Sequence, residues 1–265
     1  MKPLVSIVIP VYNSGEFLPE TVDSVQAQTY QNTELIIVDN GSDDTSTINY
    51  LKQLERKYQI VYTKKTGVSA ARNAAIAKAK GKYILALDSD DIIKPSFVEK
   101  CVRLMLTDST ISLVRTQVEL FGKKSGAIEF PKFEFSMLLA RNLMVVTSLF
   151  KKEDWERIGG FDVTFQMGFE DWEYWINLLK GGGKVATIEE NLFRYRIRKG
   201  SRNSSIKQED FSEIRKQVWE KHKELYALYF VDPTESFEYK FMEDSTANKL
   251  GNILTKPFLR FKLMK

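Results

Sequence analysis

The sequence predicts an α/β fold in which helices cover both faces of a sheet, and two observations support this. Along the first 91 residues, short apolar runs alternate with segments whose apolar residues recur at helical spacing. Such alternation is typical of parallel strands joined by crossover helices. Two of the apolar runs end in acidic clusters, which places carboxylates at the sheet edge where open α/β sheets bind ligands. Strands are expected at residues 5–9, 34–38, 60–63 and 83–87, and helices at 16–28, 45–58 and 68–80.

The local patterns support each of these elements in turn. The first strand is almost continuously apolar and ends at Pro10, and Asn13 or Ser14 can cap the helix that follows. The second strand leads into the turn-forming stretch 39–44. Glycines open and close the alanine-rich third helix, after which the strand at 83–87 begins. The apolar face of the first helix comprises Phe17, Leu18, Val22 and Val25.

Beyond residue 111 the pattern becomes mixed, and we expect this region to complete the same sheet. The predicted elements are strands at 111–121, 127–130, 143–150, 185–188 and 192–196, and helices at 152–158 and from 170 to about 181. Residues 1–203 are therefore predicted to be one domain, with a first half at 1–91 and a second at 92–203. Residues 204–265 are predicted to be a helical extension that includes an amphipathic helix.

Composition excludes several classes of function. The net charge of +4 comes from 39 basic and 35 acidic residues and is too small to indicate nucleic acid as a partner. The single cysteine, Cys101, excludes an intrachain disulfide and a cysteine-based zinc site, and we expect it to be a core thiol. No signal peptide or apolar run of membrane-spanning length is evident, so a cytoplasmic location is expected.

The sequence Asp88-Ser89-Asp90-Asp91 directly follows a buried strand and is the strongest chemical feature. Oxygen ligands on a short loop suit Mg²⁺ or Mn²⁺, ions that usually share their coordination shell with substrate phosphates. The alternative is that these residues only cap the helix predicted to start near Pro95. The first strand–helix loop, 10–15, lacks both G-x-G-x-x-G and a P-loop lysine, which argues against a dehydrogenase or a P-loop NTPase.

Four stretches can be considered together: 5–13, 38–44, 67–91 and 159–196. They contain Asp39-Asn40-Gly41-Ser42, then Arg72-Asn73 followed by Asp88-x-Asp90, then Gly-Gly-Phe-Asp with Glu170-Asp171, and finally Tyr195-Arg196. In this order and spacing they resemble the glycosyltransferase family 2 enzymes, which have the GT-A fold. The resemblance covers about residues 4–203 and implies a GT-A-type nucleotide-binding mixed sheet.

The resemblance implies a donor site for a nucleotide sugar. Asp39 matches the uracil-binding aspartate, although Asp-Asn-Gly-Ser is also strong turn chemistry. Asp88 would contact ribose or metal, and Asp90 would ligate a divalent cation, Mn²⁺ or Mg²⁺, that bridges the diphosphate. Tyr12 is equally compatible with an aromatic side chain at the rim of the site or in the core. A lone arginine on a helix, such as Arg72, is usually part of a solvated surface. The expected donor-binding residues are Pro10, Val11, Tyr12, Asp39, Arg72, Asn73, Asp88, Ser89 and Arg198.

The resemblance also implies an acceptor site at Glu170-Asp171, in which Asp171 is the general base. The alternative is that both acids only favour a helix N-terminus, and the two roles are compatible. One departure from the family pattern concerns the cation. Where many members carry a histidine after the Tyr-Arg pair, this sequence has Arg198, which cannot ligate a cation but can neutralise a diphosphate directly. The strictness of metal dependence is therefore open.

The predicted function is that of an inverting, metal-assisted glycosyltransferase that uses a UDP-sugar and a saccharide or lipid-linked acceptor in surface polysaccharide biosynthesis. The alternatives are a nucleotidyltransferase, for which residues 10–15 lack a triphosphate-binding loop, and a non-catalytic sugar-nucleotide-binding module. The tail 256–265 alternates basic and apolar residues. It either associates with an anionic membrane surface or packs on the protein itself or on a second subunit of a homo-oligomer.

Overall fold

The computed structural model describes residues 2–198 and 208–230. The strands are β1 Val5–Val11, β2 Thr33–Asp39, β3 Gln59–Tyr62, β4 Tyr83–Ala86, β5 Ile92–Ile93, β6 Ile111–Gly122, β7 Gly126–Ile128, β8 Leu149–Lys151 and β9 Lys184–Ile197. The helices are α1 Leu18–Gln26, α2 Thr45–Leu54, α3 Val68–Ile76, α4 Phe97–Thr107, α5 Phe135–Ala140, α6 Lys152–Ile158, α7 Glu170–Leu179 and α8 Gln208–Tyr229.

All of these strands belong to one mixed sheet. Its order is β3-β2-β1-β4-β8-β6-β9-β5, with β7 paired to the outer part of β6. The first four strands are parallel, β8 runs antiparallel to both of its neighbours, and β9 is parallel to β6. The predicted α/β class and the completion of one sheet by the second half of the domain are confirmed. The parallel strands end at a common edge, where the loops after β1, β2 and β4 meet.

Helices cover both faces of the sheet because the side chains of each strand alternate between two hydrophobic cores. On β1, Ile7 and Ile9 contribute to the core beneath α1, α2 and α4, whereas Val8 faces the core beneath α3, α5 and α7. Cys101 of α4 is fully buried in the first core, as predicted. Burial raises the pKa of its thiol well above the ordinary value, which keeps it protonated and unreactive.

Several element boundaries differ from those predicted. Pro10 lies inside β1, where it pairs with Val38; it is tolerated because the pairing of β1 with β4 has already ended at Val8. The apolar run 143–150 forms a strand only from Leu149 onward. The two short strands expected at 185–188 and 192–196 are one strand, β9, because its pairing with β6 continues through register shifts near Gln117. The helix α5 and the strand β5 had no clear sequence pattern.

The predicted amphipathic helix is present as α8, and its apolar face packs on the second core. Val218 is fully buried there, and Leu225 and Tyr226 pack against its edge. The expected domain boundary after residue 203 and the basic–apolar tail 256–265 lie outside the described residues. In the part of the chain that the structure describes, no helix is both long and apolar enough to cross a membrane.

Candidate active site

A cavity of about 690 Å³ opens at the edge where the parallel strands end. We call it the donor cavity. The loops after β1, β2, β3 and β4 form its floor and one side, and the segment before α7 lines it as well. It is lined by Pro10, Tyr12, Asn40, Lys65, Thr66, Gly67, Val68, Ser69, Asp88, Ser89, Asp90, Val163, Phe165, Gln166, Tyr195 and Arg198.

The loops after β1 and β2 are tied together below this cavity. Asn13 has a left-handed backbone, φ 48°, and its side chain bonds Asp43 in both directions: Nδ2 donates to Oδ1 at 2.6 Å, and Oδ1 accepts from the Asp43 amide at 3.0 Å. The buried Asp39 accepts the amide of Ser42, three residues further along the chain, at 2.9 Å, which stabilises the turn after β2. Turn formation and a ligand role for Asp39 are therefore compatible.

Five of the residues predicted to bind the donor line this cavity, namely Pro10, Tyr12, Asp88, Ser89 and Arg198, and so does Asp90, which was predicted as a metal ligand. Tyr12 is about a third exposed, and its hydroxyl accepts a hydrogen bond from Lys65 Nζ at 2.8 Å. Val11 is buried within β1, opposite Asp39 in the register, so both lie beneath the floor rather than among the lining residues. Lys65 and Asn40 also line the cavity, and neither was among the expected donor-binding residues.

Arg72 was predicted to lie near the nucleotide, and the structure places it against Asp88, which lines the donor cavity. Its side chain is only 1% exposed, and its two terminal nitrogens donate to two acids, Asp88 at 2.6 Å and Glu170 at 2.7 Å. Burial alone would lower the pKa of the guanidinium, but these two carboxylates raise it above its ordinary value. Arg72 therefore connects the Asp-x-Asp motif to the Glu-Asp pair, and it is not among the residues that line the donor cavity.

Asn73 was predicted to bind the nucleotide, but its side chain is used in folding. Its amide nitrogen donates to the carbonyl of Phe161 at 2.7 Å, and its oxygen accepts the Phe161 amide at 2.9 Å and the indole N–H of Trp155 at 3.1 Å. These three bonds fix the Gly159–Gly160 turn against α3. In this structure the polar atoms of the side chain are paired with protein groups, and the predicted ligand role stays a prediction.

The acids of the Asp-x-Asp motif are crowded but only partly neutralised. Asp88 pairs with Arg72, and Asp90 Oδ2 pairs with Arg198 Nε at 2.5 Å. Asp91 is buried and accepts the backbone amide of Arg196 at 2.8 Å. Burial, Asp90 and Asp88 together raise the pKa of Asp91 well above its ordinary value. The third acid thus supports the loop and is not among the residues that line the donor cavity.

The carboxylate oxygens of this loop are suited to bind a divalent cation that is shared with a substrate. Asp88 and Asp90 both line the donor cavity, and each has one carboxylate oxygen paired with an arginine. Among the described residues no group of three or more potential ligands is assembled. Mg²⁺ and related ions are commonly bound through only one or two carboxylates, with substrate phosphates and water completing the shell. Two carboxylates facing a cavity match that kind of site.

A second cavity of about 430 Å³ adjoins the donor cavity, and we call it the acceptor cavity. Asp88, Tyr195 and Arg198 line both cavities, so the two meet at these residues. Asp171 and Glu170 lie on the side of the acceptor cavity, at the first turn of α7. Its other walls are largely apolar and include Ile128, Met144, Val145, Val146, Phe169, Phe193 and Ile197.

Asp171 has the electrostatic properties of a general base near neutral pH. Burial and the neighbouring Glu170 raise its pKa to about 7, against the opposing effects of Arg72, a hydrogen bond from Asn142 and the amide of Trp172. Trp172 donates that amide to Oδ1 at 2.8 Å. Glu170 is itself buried and paired with Arg72. Asn142 also lines the acceptor cavity, and nothing in its local sequence indicated this role.

Comparison with known proteins shows the family of this chain. The family model described as glycosyl transferase family 2 matches residues 6–148. TuaG of Bacillus subtilis, named for teichuronic acid biosynthesis, is 30% identical over 246 residues, which cover 89% of this chain and 94% of TuaG. The chain thus belongs to glycosyltransferase family 2, and it is a glycosyltransferase.

Solved structures share the fold. Residues 1–349 of TarS from S. aureus, in complex with UDP-GlcNAc, superpose with a TM-score of 0.68 at 18% identity, covering 82% of this chain and 65% of that one. A mannosyltransferase from Pyrobaculum calidifontis, in complex with GDP-Man and Mn²⁺, gives a TM-score of 0.59 at 20% identity, covering 82% of this chain and 61% of that one. The chain spans slightly less than two thirds of either structure, and both comparisons show the GT-A-type mixed sheet flanked by helices.

Proposed function

We propose that this glycosyltransferase transfers a sugar from a UDP-sugar to a saccharide or lipid-linked acceptor with inversion at the anomeric carbon. The observation that carries the proposal is the meeting of two cavities at Asp88, with Asp90 facing one cavity and Asp171 facing the other. A donor in the first cavity would present its sugar toward the second. The acceptor hydroxyl would then approach from the side opposite the leaving diphosphate.

Asp171 is the proposed general base. The acceptor hydroxyl oxygen forms the new bond to the anomeric carbon and gives its proton to Asp171, while the bond from that carbon to the diphosphate oxygen breaks and the nucleoside diphosphate leaves with the electron pair. A carboxylate whose pKa is raised to about 7 is suited to this transfer near neutral pH. Arg72, Asn142 and the Trp172 amide hold the site and favour the ionised form.

The leaving group is proposed to be neutralised in two ways. Asp88 and Asp90 would hold a divalent cation, Mn²⁺ or Mg²⁺, which when bound supplies positive charge to the diphosphate. Arg198 lines both cavities and would provide a second positive charge from the protein itself. The mannosyltransferase structure with GDP-Man and Mn²⁺ supports the presence of a cation in this fold. The choice of UDP rests on Asp39 and on the motif resemblance stated above.

The wider role is proposed to be surface polysaccharide biosynthesis, supported by the similarity to TuaG along nearly the full length of both chains. We also propose that residues 1–203 hold both substrate sites and that residues 204–265 extend that domain. Attachment to a membrane surface through residues 256–265 and homo-oligomer formation remain hypotheses. Membrane fractionation of a chain that ends at residue 255 tests the first, and light scattering tests the second.

Calorimetric titration with UDP and with GDP, each with and without Mn²⁺, tests the donor site. We expect UDP to bind more tightly than GDP, and Mn²⁺ to strengthen binding. Asp90→Ala should remove the Mn²⁺ effect, whereas Asp23→Ala, which alters an exposed acid outside the cavity lining, should leave it unchanged. Equal binding of UDP with and without Mn²⁺ would assign the diphosphate to Arg198, and preferential binding of GDP would contradict the proposed donor.

A further inference from the structure

The wall between the two cavities is a segment without a helix or strand of its own. Residues 161–169 connect the Gly-Gly turn to α7. Val163, Phe165 and Gln166 line the donor cavity, and Phe169 lines the acceptor cavity. Phe169 also has a left-handed backbone, φ 57°, where α7 begins. Because regular backbone bonding does not fix this segment, its position depends on the side chains that contact it.

Many of those contacts come from α8. The ring of Phe211 packs against Phe169 with centroids 5.2 Å apart, and Gln217 approaches the hydroxyl of Thr164 at 3.5 Å. Lys221 Nζ lies 5.7 Å from the centre of the Phe165 ring. Successive residues of α8 thus contact the segment along its length, from a helix that the family model does not include.

Lys221 makes the strongest of these contacts because it joins two acids. Its ammonium pairs with Asp162 Oδ2 and, at 2.9 Å, with Glu173 Oε1. The other oxygen of Asp162 accepts the amide and the hydroxyl of Thr164 at 2.8 and 2.7 Å, which closes the first turn of the segment. A displacement of Lys221 would therefore be transmitted to that turn, which ends one residue before Phe165, a lining residue of the donor cavity.

Glu173 links the same cluster to the catalytic helix. It lies on α7, two residues after Asp171, and its side chain is completely buried. Its Oε1 contacts both Lys221 and His222 Nε2, the latter at 3.0 Å. The helix α8 departs from helical geometry at His222, where this side chain meets Glu173. A buried carboxylate needs such partners, so the contact fixes α7 and α8 relative to one another.

We propose that α8 is a positioning element of the donor site, in which Lys221 holds the segment 161–169 through Asp162 and holds α7 through Glu173. Lys221 and Asp162 do not line either cavity, so they act through the residues that do. This proposal rests on the proposed function only for the choice of UDP as the probe. It gives the C-terminal part of the chain a part in substrate binding.

The test compares Asp162→Asn and Lys221→Met in the full chain, with Lys223→Met as a matched control on the exposed side of α8. Asp162→Asn keeps the oxygen that closes the turn and removes only the ion pair. We expect both variants to weaken UDP binding about fivefold, in keeping with a half-exposed ion pair, and the double variant to be no weaker than the single ones. Lys221→Arg should restore binding, and Lys223→Met should match the wild type.

Hydrogen–deuterium exchange of residues 161–169 provides a second readout that needs no nucleotide. The segment should exchange faster in Asp162→Asn and Lys221→Met, while the melting temperature of Asp162→Asn stays near that of the wild type. Unchanged UDP affinity in both variants would overturn the proposal, whatever the exchange rates. Failure of the wild type to bind UDP would instead contradict the proposed donor, and unchanged exchange would then overturn the role of α8.

Discussion

Arg72 shows how one side chain can couple two parts of a site. Its guanidinium joins Asp88, which lines both cavities, to Glu170, which precedes the proposed base. Both ion pairs are short, and the arginine is almost completely buried. A buried charge with its partners in place is tolerated, whereas removal of one member leaves the others uncompensated. The geometry at Asp88 and at Asp171 therefore depends on the same residue.

We expect Arg72→Met to lower the free energy of unfolding by about 3–5 kcal/mol, because it leaves two acids without their shared cation. Arg72→Lys should lower the free energy of unfolding by an intermediate amount, since an ammonium group cannot bond both carboxylates with the planar geometry of a guanidinium. Urea unfolding measures both effects. Arg56→Met, an equivalent change at an exposed site, serves as the control and should stay within about 0.5 kcal/mol of the wild type. A similar small loss for Arg72→Met would contradict the bridging role.

Asp171 gives a pH dependence of known sign. The base must be ionised, so kcat/KM should rise with pH and level off above about 7, the raised pKa of this carboxyl. Asp171→Asn should lower the rate at least about 100-fold at every pH. The free energy of unfolding has the opposite trend. Because the pKa of Asp171 is higher in the folded protein than in the unfolded chain, this group contributes stability at low pH, and that contribution is lost as the pH rises to about 7. Asp171→Asn should therefore be relatively more stable at pH 8, and a wild-type rate that falls across this range would contradict the assignment.

Asn142 tunes the same carboxyl. Its hydrogen bond favours the ionised form of Asp171 and so opposes the increase in pKa caused by burial and Glu170. Asn142→Leu should move the midpoint of the pH–rate profile to higher pH, because that stabilisation is lost. Asn177→Leu, on the same helix as Asp171 but outside the cavity lining, is a suitable control. An unchanged midpoint in Asn142→Leu would show that Asn142 only contributes to the cavity wall.

Whether the role of a residue could be predicted depends on how far along the chain its partners lie. Asp88, Asp90 and Asp171 could be proposed from local motifs, because each follows a strand or begins a helix in a pattern that is visible over a few residues. The partners of Arg72, Asp88 and Glu170, lie 16 and 98 residues away. No local pattern therefore shows that its guanidinium is already paired with two carboxylates. The bonds of Asn73 to Trp155 and Phe161 could not be predicted for the same reason.

At the scale of elements, strands could be predicted where an apolar pattern over a few neighbouring residues indicates them. Residues 35–38 and 83–87 are buried on both faces of the sheet and form continuous apolar runs. In β9, by contrast, Glu189 and Glu190 are exposed and interrupt the apolar pattern, although pairing with β6 continues through a bulge. The region between β7 and β8 has short helical and extended pieces whose conformation is set by Arg115, which donates to the carbonyls of Pro131 and Leu143.

The turn between α6 and the segment 161–169 offers a matched pair of glycines. Both have left-handed backbones, φ 83° at Gly159 and 81° at Gly160. A Cβ on Gly159 would meet nothing within 4 Å, whereas one on Gly160 would lie 2.7 Å from Asn73 Oδ1 and 2.9 Å from Trp155 Nε1. We expect Gly159→Ala to cost about 1–2 kcal/mol from backbone strain alone. Gly160→Ala should cost clearly more in urea unfolding, and equal losses would contradict the role assigned to Asn73.

At the scale of the whole molecule, α8 cannot be treated as a loose appendage. Its residues Ile214, Val218 and His222 are buried, and Val218 belongs to the core shared with α3, α5 and α7. The helix also supplies the two partners of the buried Glu173. The family model ends at residue 148, yet α7, α8 and seven of the fifteen residues that line the acceptor cavity lie beyond that point. The functional unit in the described part of the chain is therefore larger than the segment the model matches.

A chain that ends at residue 203 should consequently fold poorly. Removal of α8 would uncover the apolar surface that Ile214 and Val218 cover and would leave Glu173 buried without a cationic partner, a loss of several kcal/mol against the 5–15 kcal/mol typical of a domain. We expect this chain to lack a cooperative thermal transition or to melt far below the full chain. Adding Glu173→Leu to the truncated chain should recover part of the loss, since it removes the unpaired buried charge. A transition that matches the full chain would show that residues 1–203 fold independently, and α8 would then be an extension in the sense first predicted from the sequence.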